Sequence, residues 1–106
     1  KEKTMNKVQF MSYIEDAFVR RKEILKKKEK EYSSGRDRLE QFYRAGAAQN
    51  ILPTEALIGM ATKHFTSITD MCKDPSNYTT NQWNEKLDDL CNYCDLLNAL
   101  VTDINE

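Results

Sequence analysis

The sequence predicts an all-α fold, a four-helix bundle-like domain completed by oligomerisation, and three observations carry that expectation. Apolar residues recur at helical spacing along the 106 residues, without strand-like alternation. Only three Gly and two Pro interrupt the chain, which leaves few turns and long elements. The last helical stretch carries apolar residues on two opposite faces, more than one neighbouring helix covers. A chain of this length is a single domain, residues 1–106, that buries roughly two thirds of its unfolded surface.

The first helix is expected from about Thr4 to Lys30, with Val8, Met11, Ile14, Phe18 and Leu25 on one face. Ser33-Ser34-Gly35 breaks it, and either serine can cap the second helix. That helix carries Leu39, Phe42, Tyr43 and Ala47 and ends near Gln49-Asn50. Pro53 suits the first turn of a third helix, where Glu55 favours the positive N-terminus. Its apolar face is Leu57, Met60, Ala61, Ile68 and Met71. Asp74-Pro75-Ser76-Asn77 is a loop of strong turn formers. The fourth helix, about Thr80 to Ile104, repeats Trp83, Leu87, Leu90, Cys94, Leu97, Val101 and Ile104 as a bundle seam. Glu85, Asp89 and Asn92 lie nearly opposite that seam, on a face continued by Leu96 and Leu100. Asp88 and Asp95 fall between the two faces and are expected in solvent.

The net charge of −1 hides an asymmetry: residues 1–50 carry 13 Lys/Arg against 8 Asp/Glu, and residues 51–106 carry 3 against 9. Two such halves attract each other, or form the phosphate-binding and metal-binding walls of one cleft. Arg20 to Lys30 holds seven positive charges in eleven residues. Interleaved Glu23 and Glu29, and the lack of an aromatic platform, turn that run away from nucleic acid and towards a solvated helix end. No run of about 18 apolar residues spans a membrane, and no apolar block follows a basic start as in a signal peptide. Three cysteines cannot all pair internally, which favours the cytoplasm, of a cell or of an infected cell.

Carboxylates three or four apart on a helix can share a hard cation such as Mg²⁺. Glu85 with Asp88 or Asp89 has that spacing, and Asp37 with Glu40 offers a second pair. Lys63, Ser67 and Asp70 form a polar stripe on the third helix, and His64 points towards its apolar face. Cys72, Cys91, Cys94 and His64 could supply zinc, but core cysteines are ordinarily small hydrophobes, and zinc is not the expectation. The chain has no Gly-rich phosphate loop or dinucleotide fingerprint.

The segments KEKEYSSGRDRLEQF (28–42), PTEALIGMATKHFTSITDM (53–71) and WNEKLDDLCNYCDLLNAL (83–100) resemble, in that order, small phage-encoded helical proteins. These are related to the MazG-like all-α nucleoside triphosphate pyrophosphohydrolases and to nucleotide-modification-associated domains. The resemblance covers residues 28–100. It implies a Mg²⁺ half-site at Glu85 and Asp88 or Asp89, with Glu85 and Asp89 catalytic and the metal-bound water attacking a phosphoanhydride. Lys63 and Arg36 would then hold phosphate, and Asn92 and His64 would contact substrate. The chain departs from the family in its first half-site, since the E-x-x-E that should precede Glu85 closely is replaced by Asp37 and Glu40, a whole helix upstream. The expectations are therefore a nucleotide-binding homodimer or higher oligomer that hydrolyses its ligand, or a non-catalytic phage protein that sequesters a nucleotide signal or binds a host defence protein in the host cytoplasm.

Overall fold

The computed structural model describes residues 4–32 and 38–106. They form four helices, α1 (Lys7–Tyr32), α2 (Glu40–Gln49), α3 (Pro53–Met71) and α4 (Thr80–Asn105), with a short 3₁₀ turn at Pro75–Asn77. The fold is an all-α, bundle-like one. The expected Ser33-Ser34 cap and the site candidates Arg36 and Asp37 lie outside the described residues. Among the described residues, no helix is long and apolar enough to cross a membrane.

Local chemistry sets the helix ends. Asn6 accepts from the Gln9 backbone N–H at 2.8 Å while the Gln9 side chain accepts from Asn6 N–H at 2.9 Å, a reciprocal cap that starts α1 at Lys7, three residues after the expected place. Thr79 and Gln82 repeat the device at the start of α4. At α3, Glu55 accepts from Leu52 N–H at 2.9 Å beside Pro53, as its first-turn position suggested. Asn50 ends α2 in the left-handed region at φ 59°, and Ile51 N–H closes back onto Gly46 O at 2.9 Å. That tight return brings the backbone of residues 51–53 against Gly46.

Helix α3 lies between α2 and α4, and α1 packs against α4. Phe42, Leu57 and Leu100 form the fully buried core, with Leu39, Met60, Tyr93, Leu96 and Leu97 packed around it. Most of the expected α3 face is inside: Leu57, Ala61, Ile68 and Met71 are buried.

Two expected faces are corrected. On α4, the predicted seam is only partly inside: Leu87, Cys94, Val101 and Ile104 are exposed, Trp83, Leu90 and Leu97 are half-buried with Leu97 packed on the core, and Asp88, Asn92 and Leu100 are buried. Leu100 is thus covered within one chain, and Leu96 partly so. Asp88, expected in solvent, is 3 % exposed. The physical reason is Arg20, whose Nε and Nη2 donate to the two Asp88 carboxylate oxygens at 2.5 and 3.0 Å. A paired carboxylate can be buried where a lone one cannot. On α1, Val8, Met11 and Phe18 are exposed, and Ala17 is the buried residue.

Breaking the ion pair should be asymmetric. Arg20→Ala, which strands a carboxylate whose side chain is 4 % exposed, should cost about 3 kcal/mol in denaturant unfolding, and Asp88→Asn about 1–2 because the guanidinium is 32 % exposed and can turn to water. Equal costs would place Asp88 in a wetter site than this one. Glycine substitutions give a second check. A Cβ on Gly46 would meet Ile51 O at 2.8 Å and Pro53 N at 3.0 Å, both backbone atoms, while one on Gly59 meets nothing within 4 Å. Gly46→Ala should therefore lower stability by about 2 kcal/mol or more, and Gly59→Ala, in an exposed helix interior, should raise it by about 0.5–1 kcal/mol.

Candidate ligand-binding pocket

The inward face of α4 continues past Asp88 into a polar hollow. Asp89, Asn92 and Tyr93 line it from α4, His64 from α3, Lys28 from α1, and Arg38 from just before α2. The hollow holds about 120 Å³. Beside it a groove of about 280 Å³ runs between α1 and α4, sharing Leu25, Arg38 and Leu96 and adding Lys22 and Lys26.

Asn92 is its least satisfied wall. The residue is 5 % exposed, and neither Nδ2 nor Oδ1 has a hydrogen-bond partner among the described residues. An amide held out of water without partners costs about 1–3 kcal/mol per group. It therefore leaves one donor and one acceptor unpaired beside the hollow, both atoms themselves closed to solvent.

Charge is arranged around Asp89. Lys28 Nζ lies 3.9 Å from Oδ1 and His64 Nδ1 lies 4.0 Å from Oδ2. Both are distances of electrostatic proximity, too long for hydrogen bonds. The His64 ring also leans on Tyr93, centroids 5.3 Å apart and tilted by 40°. Burial pushes the His64 pKa below its ordinary 6.5, outweighing the upward pull of Asp89, with the positive charges of Lys63, Lys86 and Lys28 adding to the downward shift. His64 is neutral at pH 7, so Lys28 is the cation that faces Asp89.

Three of the residues singled out from the sequence, Asp89, Asn92 and His64, meet at this hollow. The other described candidates do not line it. Glu85 is exposed to solvent, Asp88 is held by Arg20, and Lys63 is exposed. Glu40 pairs with Arg44 at 3.0 Å. Lys28, Arg38, Gln41 and Tyr93 complete the walls. The sequence marked Lys28 only as part of a basic run and Arg20 not at all as the partner of an α4 acid. Among the described residues, no group of three or more His, Cys, Asp or Glu side chains is gathered as a metal would need. The three cysteines, expected to lean towards the core, are all exposed and free. No protein-family model, curated protein or solved structure matches the chain.

His64 gives the fold a predictable pH response. Its folded pKa lies below 6.5, so the unfolded chain takes up the proton first as pH falls. The stability supplied by the neutral imidazole is complete above 6.5 and is lost as pH drops through that value and past the folded pKa. Melting curves at about pH 7.5 and about pH 5.5 should show a smaller loss for His64→Gln than for the parent. Identical losses would mean that His64 is not held neutral by burial.

Proposed function

We propose that the protein is a nucleotide-binding protein that holds its ligand in this hollow without hydrolysing it, acting as a homo-oligomer. The observation that carries the reading is the Asn92 amide, buried at the pocket with both hydrogen-bonding atoms unused. A nucleobase edge presents adjacent donor and acceptor groups, which is what a planar amide pairs with in two hydrogen bonds. Tyr93 supplies an aromatic wall beside it. Lys28 and Arg38 stand at the hollow, and the groove that continues from it is lined by Lys22 and Lys26 together with Glu29 and Asp95, so phosphates would extend along its lysine side. The resemblance to MazG-like proteins leads to the same ligand class.

Sequestration is favoured over turnover by the placement of the carboxylates. A Mg²⁺-dependent hydrolase would need a second carboxylate beside Asp89, and Asp89 is the only one lining the hollow among the described residues. Glu85 faces solvent, and Asp88 already neutralises Arg20. A small protein that captures a nucleotide signal is the role this arrangement serves.

Calorimetry with nucleoside mono-, di- and triphosphates and cyclic nucleotides, with Mg²⁺ and with chelator, tests the proposal. Binding should survive the chelator, and no pyrophosphate should be released. Lys28→Glu should weaken binding by about tenfold or more, the loss of one charged contact. Asn92→Leu should weaken it similarly while raising unfolding stability by about 1 kcal/mol, because an unpartnered amide leaves the interior. Binding that ignores both substitutions would move the ligand elsewhere, and pyrophosphate release would restore the hydrolase.

A further inference from the structure

The first three turns of α1 form an arm with little of the chain around it, in a molecule 51 Å long and 27 × 26 Å across. Phe10 and Tyr13 continue the direction of the inward-facing Ala17 and Ile24, yet both are exposed, as the α1 face runs past what covers it. On the outer side Val8, Met11 and Phe18 are 79 %, 55 % and 57 % exposed, with Arg21 over one face of the Phe18 ring. Met5 and Val19 are exposed as well. Large apolar side chains thus meet water on more than one side of a stretch that also carries Lys7, Glu15 and Asp16.

We infer that this arm, Met5 to Val19, is where a second copy of the chain docks, arm against arm and antiparallel. This gives the homo-oligomer of the reading above its surface, and it does not depend on what fills the pocket. Area is the first argument. On the outer side Val8, Met11, Phe18 and Val19, 55–79 % exposed, offer on the order of 450 Å², within the roughly 300–600 Å² of a patch that on a monomer is often functional. A two-fold contact of the arm with itself takes that patch from both copies, roughly 900 Å² in all, the size of a weak, reversible interface.

Charge is the second argument, and it selects a copy of this chain over an unrelated partner. Lys7 stands at one end of the arm, and Glu15 with Asp16 at the other. An antiparallel second arm sets Lys7 beside the opposite acids twice, whereas a parallel one stacks like on like. The net charge of −1 adds almost no repulsion between copies.

The test is the mass of the purified chain in solution by sedimentation at about 50 μM, with hydrogen exchange on α1. The parent should run at twice its 12.4 kDa, with exchange in residues 7–19 slowing as concentration rises. Val8→Glu with Met11→Glu replaces exposed side chains, so it should leave helicity unchanged and raise the dissociation constant at least about tenfold. Lys7→Glu and Glu15→Lys should each weaken the dimer roughly threefold, and the two together should restore it. A monomeric parent, including one whose arm binds lipid vesicles or a different protein, overturns both the oligomer and its surface. A dimer untouched by the arm substitutions but broken by Val101→Glu on α4 keeps the oligomer and overturns the surface. Failure of the double swap to restore pairing overturns the antiparallel arrangement.

Discussion

The ion pair between Arg20 and Asp88 decides how the rest of this molecule is arranged. It joins residues 68 positions apart, and it lies on the interface by which α1 packs against α4. With the guanidinium forked onto both carboxylate oxygens, Asp88 can be turned inward, and the whole of α4 rotates with it. Asn92 and Leu100 follow on the same face, Leu100 into the core and Asn92 into the hollow. Two turns beyond Arg20 on α1, Lys28 becomes a wall of that hollow. Without the pair, a buried carboxylate would carry a desolvation cost of several kcal/mol, enough to favour the opposite rotation of α4.

This is why the fold class was legible in the sequence and the face of α4 was not. Periodicity reports that a helix has an apolar stripe, and α4 has two: Leu87, Leu90, Leu97 and Val101 on one side, Leu96 and Leu100 on the other. The choice between them rests on a long-range partner, and nothing in the local pattern around Asp88 names Arg20. Helix α3 was read correctly because it has one stripe, opened by Pro53 and Glu55, so no such choice arises. On α1, apolar residues on every side leave the period without a preferred direction, and Ala17, the smallest of them, is what the close approach of α4 accepts. The site shows the same division. Asp89, Asn92 and His64 stood out because polar residues near an apolar stripe are conspicuous, whereas Lys28 and Arg38 sit among equally basic neighbours. Carboxylate spacing raised Glu85 and Asp88 as ligands, since spacing cannot tell a solvated acid from one already paired.

The departures from a stability optimum gather in two places. In the hollow, an amide is buried without protein partners and an imidazole is held neutral by burial. Along the arm, large apolar side chains face water. A sequence under selection for stability alone removes such features through single substitutions, so their coincidence with concave or protruding surface argues for use. The fully buried core is small, Phe42, Leu57 and Leu100, and little stability stands in reserve against them.

Both places involve α1, and that couples them. The helix runs from the exposed arm, through the Arg20 contact, to Lys28 at the hollow, so whatever orders one end restricts the other. A ligand bridging Lys28, Arg38 and Asn92 would tie α1 to α2 and α4 at once, adding a second fastening to a helix that now packs on α4. A second copy on the arm would fix the same helix from its other end. Each event would thereby lower the ordering entropy left for the other to overcome, which is positive coupling carried by rigidity, with no change of shape required. By linkage the effect is reciprocal, so the nucleotide would tighten the dimer by the factor that the dimer tightens the nucleotide. Arg20 and Asp88 lie between the two proposed sites, so such coupling would run through the contact they hold.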